Sequence, residues 1–179
     1  MIKFEVAKGW EDKNIHLPER KTAGSAGYDF EVAEDTLIPP YENLVGTMVC
    51  GSPVTMQEYS LEGVAAITKA FNTRPTLVPT GIKAAMPQDL CLVLSIRSSS
   101  PLKHWLVLAN GEGLIDSDYY QNPDNDGHIM FQIINFSPYP IMLRKGDIIG
   151  QGKFIKYYTT DDDAATASRT GGFGSTTNA

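Results

Sequence analysis

The sequence predicts an all-β fold, and three observations carry the prediction. Apolar residues alternate with polar ones over short runs, prolines and glycines break those runs at close intervals, and no β-α-β alternation is present. Short strands with one buried face and frequent turns build a barrel or a sandwich.

Taken in order, Ile2, Phe4 and Val6 form the first alternating run. Leu90, Leu92, Leu94 and Ile96 form the clearest one. Ile129, Phe131, Ile133 and Asn135 share one face of another, and Phe154, Lys156 and Tyr158 make the last. Breaks fall at Pro39-Pro40, Pro79-Thr80-Gly81, Pro138 and Lys145-Gly146-Asp147. One segment departs from this rhythm. Between Ser52 and Phe71, Thr55 and Glu58 stand in capping-box spacing, and Met56, Tyr59, Val64, Ile67 and Phe71 recur at near-helical intervals. That pattern predicts a short helix inserted between strands, its apolar stripe turned to the core or to a subunit contact. From Thr159 the chain holds almost nothing to bury, which predicts one domain over residues 1–158 followed by a flexible arm, 159–179.

Composition narrows the function classes. A chain of 179 residues can bury a full core without disulfides or a structural metal. Its two cysteines, Cys50 and Cys91, form no CxxC unit, which excludes the common zinc spacings and fits a reducing cytosol. The start, MIKFEVAKGWEDK, lacks the apolar core of a signal peptide, and no run is long enough to span a membrane. A net charge of −6 opposes nucleic-acid binding, which needs a basic face, but not a small anion held by a few donors and a divalent metal. The familiar phosphate-binding loop, zinc-protease pair, nucleophile elbow and dinucleotide fingerprint are all missing.

Five segments carry candidate chemistry. In AGYDF, Ala26 to Phe30, Gly27 permits an unusual backbone angle beside Asp29, a hard oxygen ligand suited to Mg²⁺ or its bound waters. In IRSSS, Arg97 offers a planar donor fork and Ser98 and Ser99 offer hydroxyls, a set suited to phosphate oxygens. ANGEGLIDSDYY places two acidic residues, Asp116 and Asp118, among glycines and aromatics, although a lone D-x-D is usually just a solvated pair. KGDIIGQG ends in the side-chain amide of Gln151. In the arm, RTGGFGST sets a solitary Phe173 among Gly171, Gly172 and Gly174, where successive N–H groups can face an anion and the ring can stack on a base.

In this order and at these spacings the five segments resemble the motifs of the trimeric dUTPases, and VPTGIKA at 78–84 extends the likeness over most of the chain. The resemblance implies a distorted, jelly-roll-like β-barrel that hydrolyses dUTP to dUMP and pyrophosphate with Mg²⁺, in the cytoplasm, as a homotrimer whose copies share active sites. It implies that Asp29 holds the metal through water, and that Arg97, Ser98 and Ser99 grip the α- and β-phosphates. Asn110, Gly113 and Ile115 belong to a hairpin that accepts uracil, Asp116 orients the attacking water, and Tyr119 packs against the deoxyribose. Gln151 falls on a phosphate-facing glutamine. Arg169 meets the γ-phosphate, Phe173 stacks on uracil, and Gly174, Ser175 and Thr176 line the triphosphate, all from a neighbouring subunit's arm.

The chain departs from the family in a few places. Residues 42–74 are an insertion relative to shorter members, Ile148 stands where an arginine is common, and QNPDNDG replaces the usual hairpin closure. Two alternatives follow from the same resemblance. A dCTP deaminase of this fold uses a glutamate where Gln132 stands here, and glutamine cannot shuttle protons. Some phage dUTPases also contact repressor proteins, so the insertion suggests a protein-binding role beside hydrolysis.

Overall fold

The computed structural model describes residues 1–41, 74–167, 169 and 171. The helix expected over 52–71, Cys50, Phe173, Gly174, Ser175 and Thr176 lie outside the described residues.

Eleven strands follow one another among the described residues: β1 (Lys3–Val6), β2 (Tyr28–Glu31), β3 (Thr36–Ile38), β4 (Thr76–Pro79), β5 (Ile82–Ala85), β6 (Leu90–Ile96), β7 (Leu106–Leu108), β8 (Gly113–Ile115), β9 (Met130–Asn135), β10 (Ile141–Leu143) and β11 (Ile148–Lys156). One short helix, α1 (Ser99–His104), follows β6. The larger sheet runs β2-β11-β6-β8 and the next β4-β9-β7, with two-stranded pairs β1-β5 and β10-β3. All pairings between named strands are antiparallel, the arrangement of a β jelly-roll. No helix among the described residues is long and apolar enough to cross a membrane.

The core lies where these sheets face each other. Phe30 from β2, Leu92 and Leu94 from β6 and Ile149 from β11 meet Val78 from β4, Leu106 and Leu108 from β7 and Phe131 and Ile133 from β9. The rings of Phe30 and Phe131 stand 5.8 Å apart and join the two large sheets. Phe4 closes one end against Tyr28, Phe30 and Phe154 at 5.3 to 5.4 Å. The alternation expected of β9 is present: Phe131, Ile133 and Asn135 are buried while Met130, Gln132 and Ile134 are half-buried on the other face.

Two expectations about strands change. β6 is buried without interruption from Cys91 to Leu94, on both faces of an interior strand that pairs along its edges with β11 and β8. β11 ends at Lys156, so Tyr158 lies beyond the strand and is exposed. The same strand begins at Ile148, which makes KGDIIGQG a tight turn running straight into a core strand. Gly146 supplies that turn with φ +88°, and the Asp147 amide donates to the Arg144 carbonyl at 2.9 Å.

His128 sits buried just before β9, its ring 5.0 Å from that of Trp10. Its Nε2 accepts a hydrogen bond from the Gly81 amide at 2.9 Å, which only the neutral ring can do. Burial pushes its pKa down from 6.5 to about 4. Between those values the unfolded chain binds a proton that the native chain does not. The contribution is therefore complete above pH 6.5 and disappears as pH falls toward 4, at a total of about 3 kcal/mol. Urea midpoints should fall more steeply from pH 7 to pH 4.5 for the wild type than for His128→Gln. Parallel declines would show that another group is responsible.

Candidate active site

Two half-sites form along β6. The first grows from the segment between β7 and β9. Gly111, at φ +69°, turns the chain after Asn110, and β8 then pairs with β6 through Gly113 opposite Leu94 and Ile115 opposite Leu92. Gly113 is required by that approach, since a Cβ there would stand 3.1 Å from the Leu94 Cβ. After β8, Asp116 leads into a single 3-10 turn, Ser117–Tyr119, and the Tyr119 amide donates to the Asp116 carbonyl at 3.1 Å. Residues three apart eclipse in such a turn, so the D-x-x-Y spacing delivers a carboxylate and a ring to one place.

That place is a cleft of about 210 Å³. Asn110, Gly113, Ile115, Asp116 and Tyr119 all line it, as do Met130 and Gln132 from the outer face of β9. Its volume is below the range of about 300 Å³ and upward typical of pockets that enclose whole ligands. Burial raises the pKa of the Tyr119 phenol, keeping it protonated. Arg169 closes the mouth: its Nη2 donates to Asp116, its Nε donates to Asp118 Oδ1 at 2.8 Å, and its guanidinium lies 5.9 Å from the Tyr119 ring. Hydrogen bonding to Asp118, with Asp116 beside it, raises the Arg169 pKa further. The arm thus returns to the acidic pair of its own chain, and Asp118, which the sequence left without a role, anchors it.

The second half-site lies across β2, β11 and β6. Asp29, Gln151 and Ser95 stand side by side in register. Gln151 Nε2 donates to Asp29 Oδ1 at 2.8 Å, and Asp29 is buried. Gly27 is not among the positive-φ residues. The unusual angle expected there is absent, and the glycine instead gives clearance, since a Cβ would stand 3.1 Å from the Gln151 side chain. Two residues beyond Ser95, Arg97 and Ser98 are exposed and Ser99 is half-buried at the start of α1. Among the described residues the Arg97 guanidinium makes no ion pair.

Along β6, Asp116 and Arg97 stand apart within one chain, although Gly113, opposite Leu94, lies one residue from Ser95. Ile115 pairs with Leu92, so Asp116 lies level with Cys91, six residues of strand from Arg97. That is roughly 20 Å of backbone, far longer than an arginine side chain. Sequence reasoning missed Met130 as a lining residue and weighed Gln132 only as a lost deaminase group. The alternation of β9 marks both as facing away from the core.

A jelly-roll with a hairpin cleft presenting a carboxylate, a carboxamide and a tyrosine, and with an exposed arginine and hydroxyls at a strand end, defines a nucleotide-handling β-barrel protein. The family described as dUTPase matches residues 61–177. The deoxyuridine 5'-triphosphate nucleotidohydrolase of Lactococcus lactis is 37% identical over 97% of this chain and 95% of its own length. That of Desulfitobacterium hafniense is 30% identical over 98% and 96%. Among solved structures, the dUTPase of Streptococcus mutans superposes with a TM-score of 0.67 at 36% identity, covering 88% of this chain and 98% of that one. The dUTPase from phage phi11 of S. aureus shares the fold, with a TM-score of 0.62 at 16% identity over 98% of this chain and 99% of that one. The chain belongs to the dUTPase family.

Proposed function

We propose that this chain hydrolyses dUTP to dUMP and pyrophosphate in sites assembled between copies of itself. The observation that carries the reading is the cleft: the five residues singled out between Asn110 and Tyr119 all line it. The backbone of β8 and the Asn110 amide hold uracil, and the Tyr119 ring lies against the deoxyribose and leaves no space for a 2′-hydroxyl. Asp116 orients water for in-line attack on the α-phosphorus, a positioning task more than a basic one.

Phosphate contacts come from the other half-site. Arg97 donates through its fork, Ser98 and Ser99 through their hydroxyls, and Gln151 through its amide. The roughly 20 Å of backbone between Asp116 and Arg97 supports the arrival of the phosphate donors from a second copy, as in a homotrimer, because an arginine side chain does not span it. Arg169 then exchanges its carboxylates for the γ-phosphate, while Phe173 stacks on uracil and Gly174, Ser175 and Thr176 follow the triphosphate.

Asp29 is the residue that would hold Mg²⁺, through water. The donor set fits a metal carried on phosphate oxygens. Mg²⁺ in such sites keeps most of its waters and needs one or two carboxylates, which the Asp29 carboxylate, oriented by Gln151, would provide. The metal supplies charge neutralisation on the phosphates. A cytoplasmic setting, where a free thiol such as Cys91 stays reduced, belongs to the same reading.

Pyrophosphate release from dUTP, UTP, dTTP and dCTP, with and without Mg²⁺, tests the proposal. Turnover of dUTP with Mg²⁺ should exceed that of the other three by at least about 100-fold and fall on chelation. Equal turnover of UTP, or conversion of dCTP to dUTP, would overturn it.

A further inference from the structure

The loop that replaces the usual hairpin closure, Gln121 to Gly127, wraps the tyrosine that lines the cleft. Asn125 Nδ2 donates to the Tyr119 hydroxyl at 2.7 Å, and that hydroxyl donates in turn to the His128 carbonyl at 3.2 Å. The other end of the same Asn125 amide is occupied, since Oδ1 accepts from the Gly127 amide at 3.1 Å. The loop also grips the backbone of the tyrosine, through the Asn122 amide donating to the Tyr119 carbonyl at 3.1 Å. Gly127, at φ +78°, comes so close that a Cβ would stand 2.5 Å from that carbonyl. The ring is therefore held at both its main-chain and hydroxyl ends by one loop.

The loop itself is fastened to the barrel. Asp126 pairs with Lys83 of β5 at 2.5 Å and accepts from the Lys8 amide at 2.8 Å, and His128 takes the Gly81 amide. A side chain whose supporting groups are locked in this way keeps its place to within about 0.5 Å, which steric discrimination of a single hydroxyl needs.

We infer that Asn125 is a positioning residue, holding the Tyr119 ring where it excludes a ribose 2′-hydroxyl. The inference rests on the reading that Tyr119 packs against the sugar. Asn125 does not touch the nucleotide; it acts through the tyrosine hydroxyl.

Steady-state kinetics on dUTP and UTP, with thermal melts alongside, test it in Asn125→Asp, Tyr119→Phe and their double variant. Asn125→Asp keeps the shape and the acceptor for Gly127 but puts an acceptor where a donor faced the Tyr119 hydroxyl. The single proton of that hydroxyl can then no longer serve the His128 carbonyl while the side chain at 125 is also bonded. The substitution should lower the dUTP-over-UTP ratio of kcat/KM by about tenfold, through a lower KM for UTP, with kcat on dUTP within about threefold. Tyr119→Phe should lower the ratio comparably, and adding Asn125→Asp to it should cause no further drop. An unchanged ratio, a proportional loss for both substrates, or multiplying effects in the double variant would overturn the role of Asn125 alone. A wild type that fails to hydrolyse dUTP would overturn the proposed function and this inference together.

Discussion

Replacing Asp116 by Asn should lower kcat on dUTP by about a thousandfold while nucleotide binding persists. Asparagine preserves the shape of the side chain and its place ahead of the 3-10 turn, so the cleft should stay intact. What it loses is the charge to which we assign orientation of the water, and one of the two carboxylates that hold Arg169 in the free chain. Arg97→Ala should be inactive for a different reason, loss of a phosphate clamp. Because the two residues stand at opposite ends of β6, co-refolding the two dead variants provides a direct test. At equal amounts, roughly a quarter of all sites would draw an intact Asp116 from the Arg97→Ala copy and an intact Arg97 from the Asp116→Asn copy, and should recover activity. A mixture as inactive as its parents would place the whole site inside one copy, contrary to the proposal. Substantial turnover by Asp116→Asn alone would remove Asp116 from the mechanism.

Gly150→Ala should be the most damaging small substitution in the barrel. Gly150 lies in β11 between Phe30 of β2 and Ile96 of β6. An added methyl would sit 2.3 Å from the Phe131 ring and 2.6 Å from the Ser95 carbonyl oxygen. The ring is locked between sheets and the carbonyl belongs to a paired strand, so neither can yield cheaply. Overpacking of this severity costs about 3 kcal/mol, seen as a lower urea midpoint. It should also disturb the adjacent Gln151–Asp29 contact. Gly24→Ala, where nothing lies within 4 Å of the added carbon, is the control and should change stability by less than about 0.5 kcal/mol. Equal midpoints for the two variants would refute the argument.

The legible parts of this protein were those in which neighbours in sequence are neighbours in space. The alternation in β9 put Phe131 and Ile133 on one buried face, and the residues from Asn110 to Tyr119 that the family resemblance singled out line one cleft because a hairpin and one 3-10 turn keep them together. Burial on both faces of β6 was hidden, since Cys91 and Val93 are smaller than the leucines they alternate with and read as the outer side of a one-faced strand. The meeting of Arg169 with Asp116 spans 53 residues and depends on how the arm returns, which no local pattern encodes. The grip of Asn125 on Tyr119 was equally hidden: QNPDNDG reads as a solvated turn, and only the closure at Gly127 turns its amide toward the ring.

β9 gives the barrel two separate scripts on one strand. Its odd-numbered side chains, Phe131, Ile133 and Asn135, belong to the packed interior. The even-numbered Met130 and Gln132 look out into the cleft. Selection can therefore retune what the cleft admits by editing even positions without taxing the interior, while drift at odd positions is felt as lost stability before it is felt as altered preference.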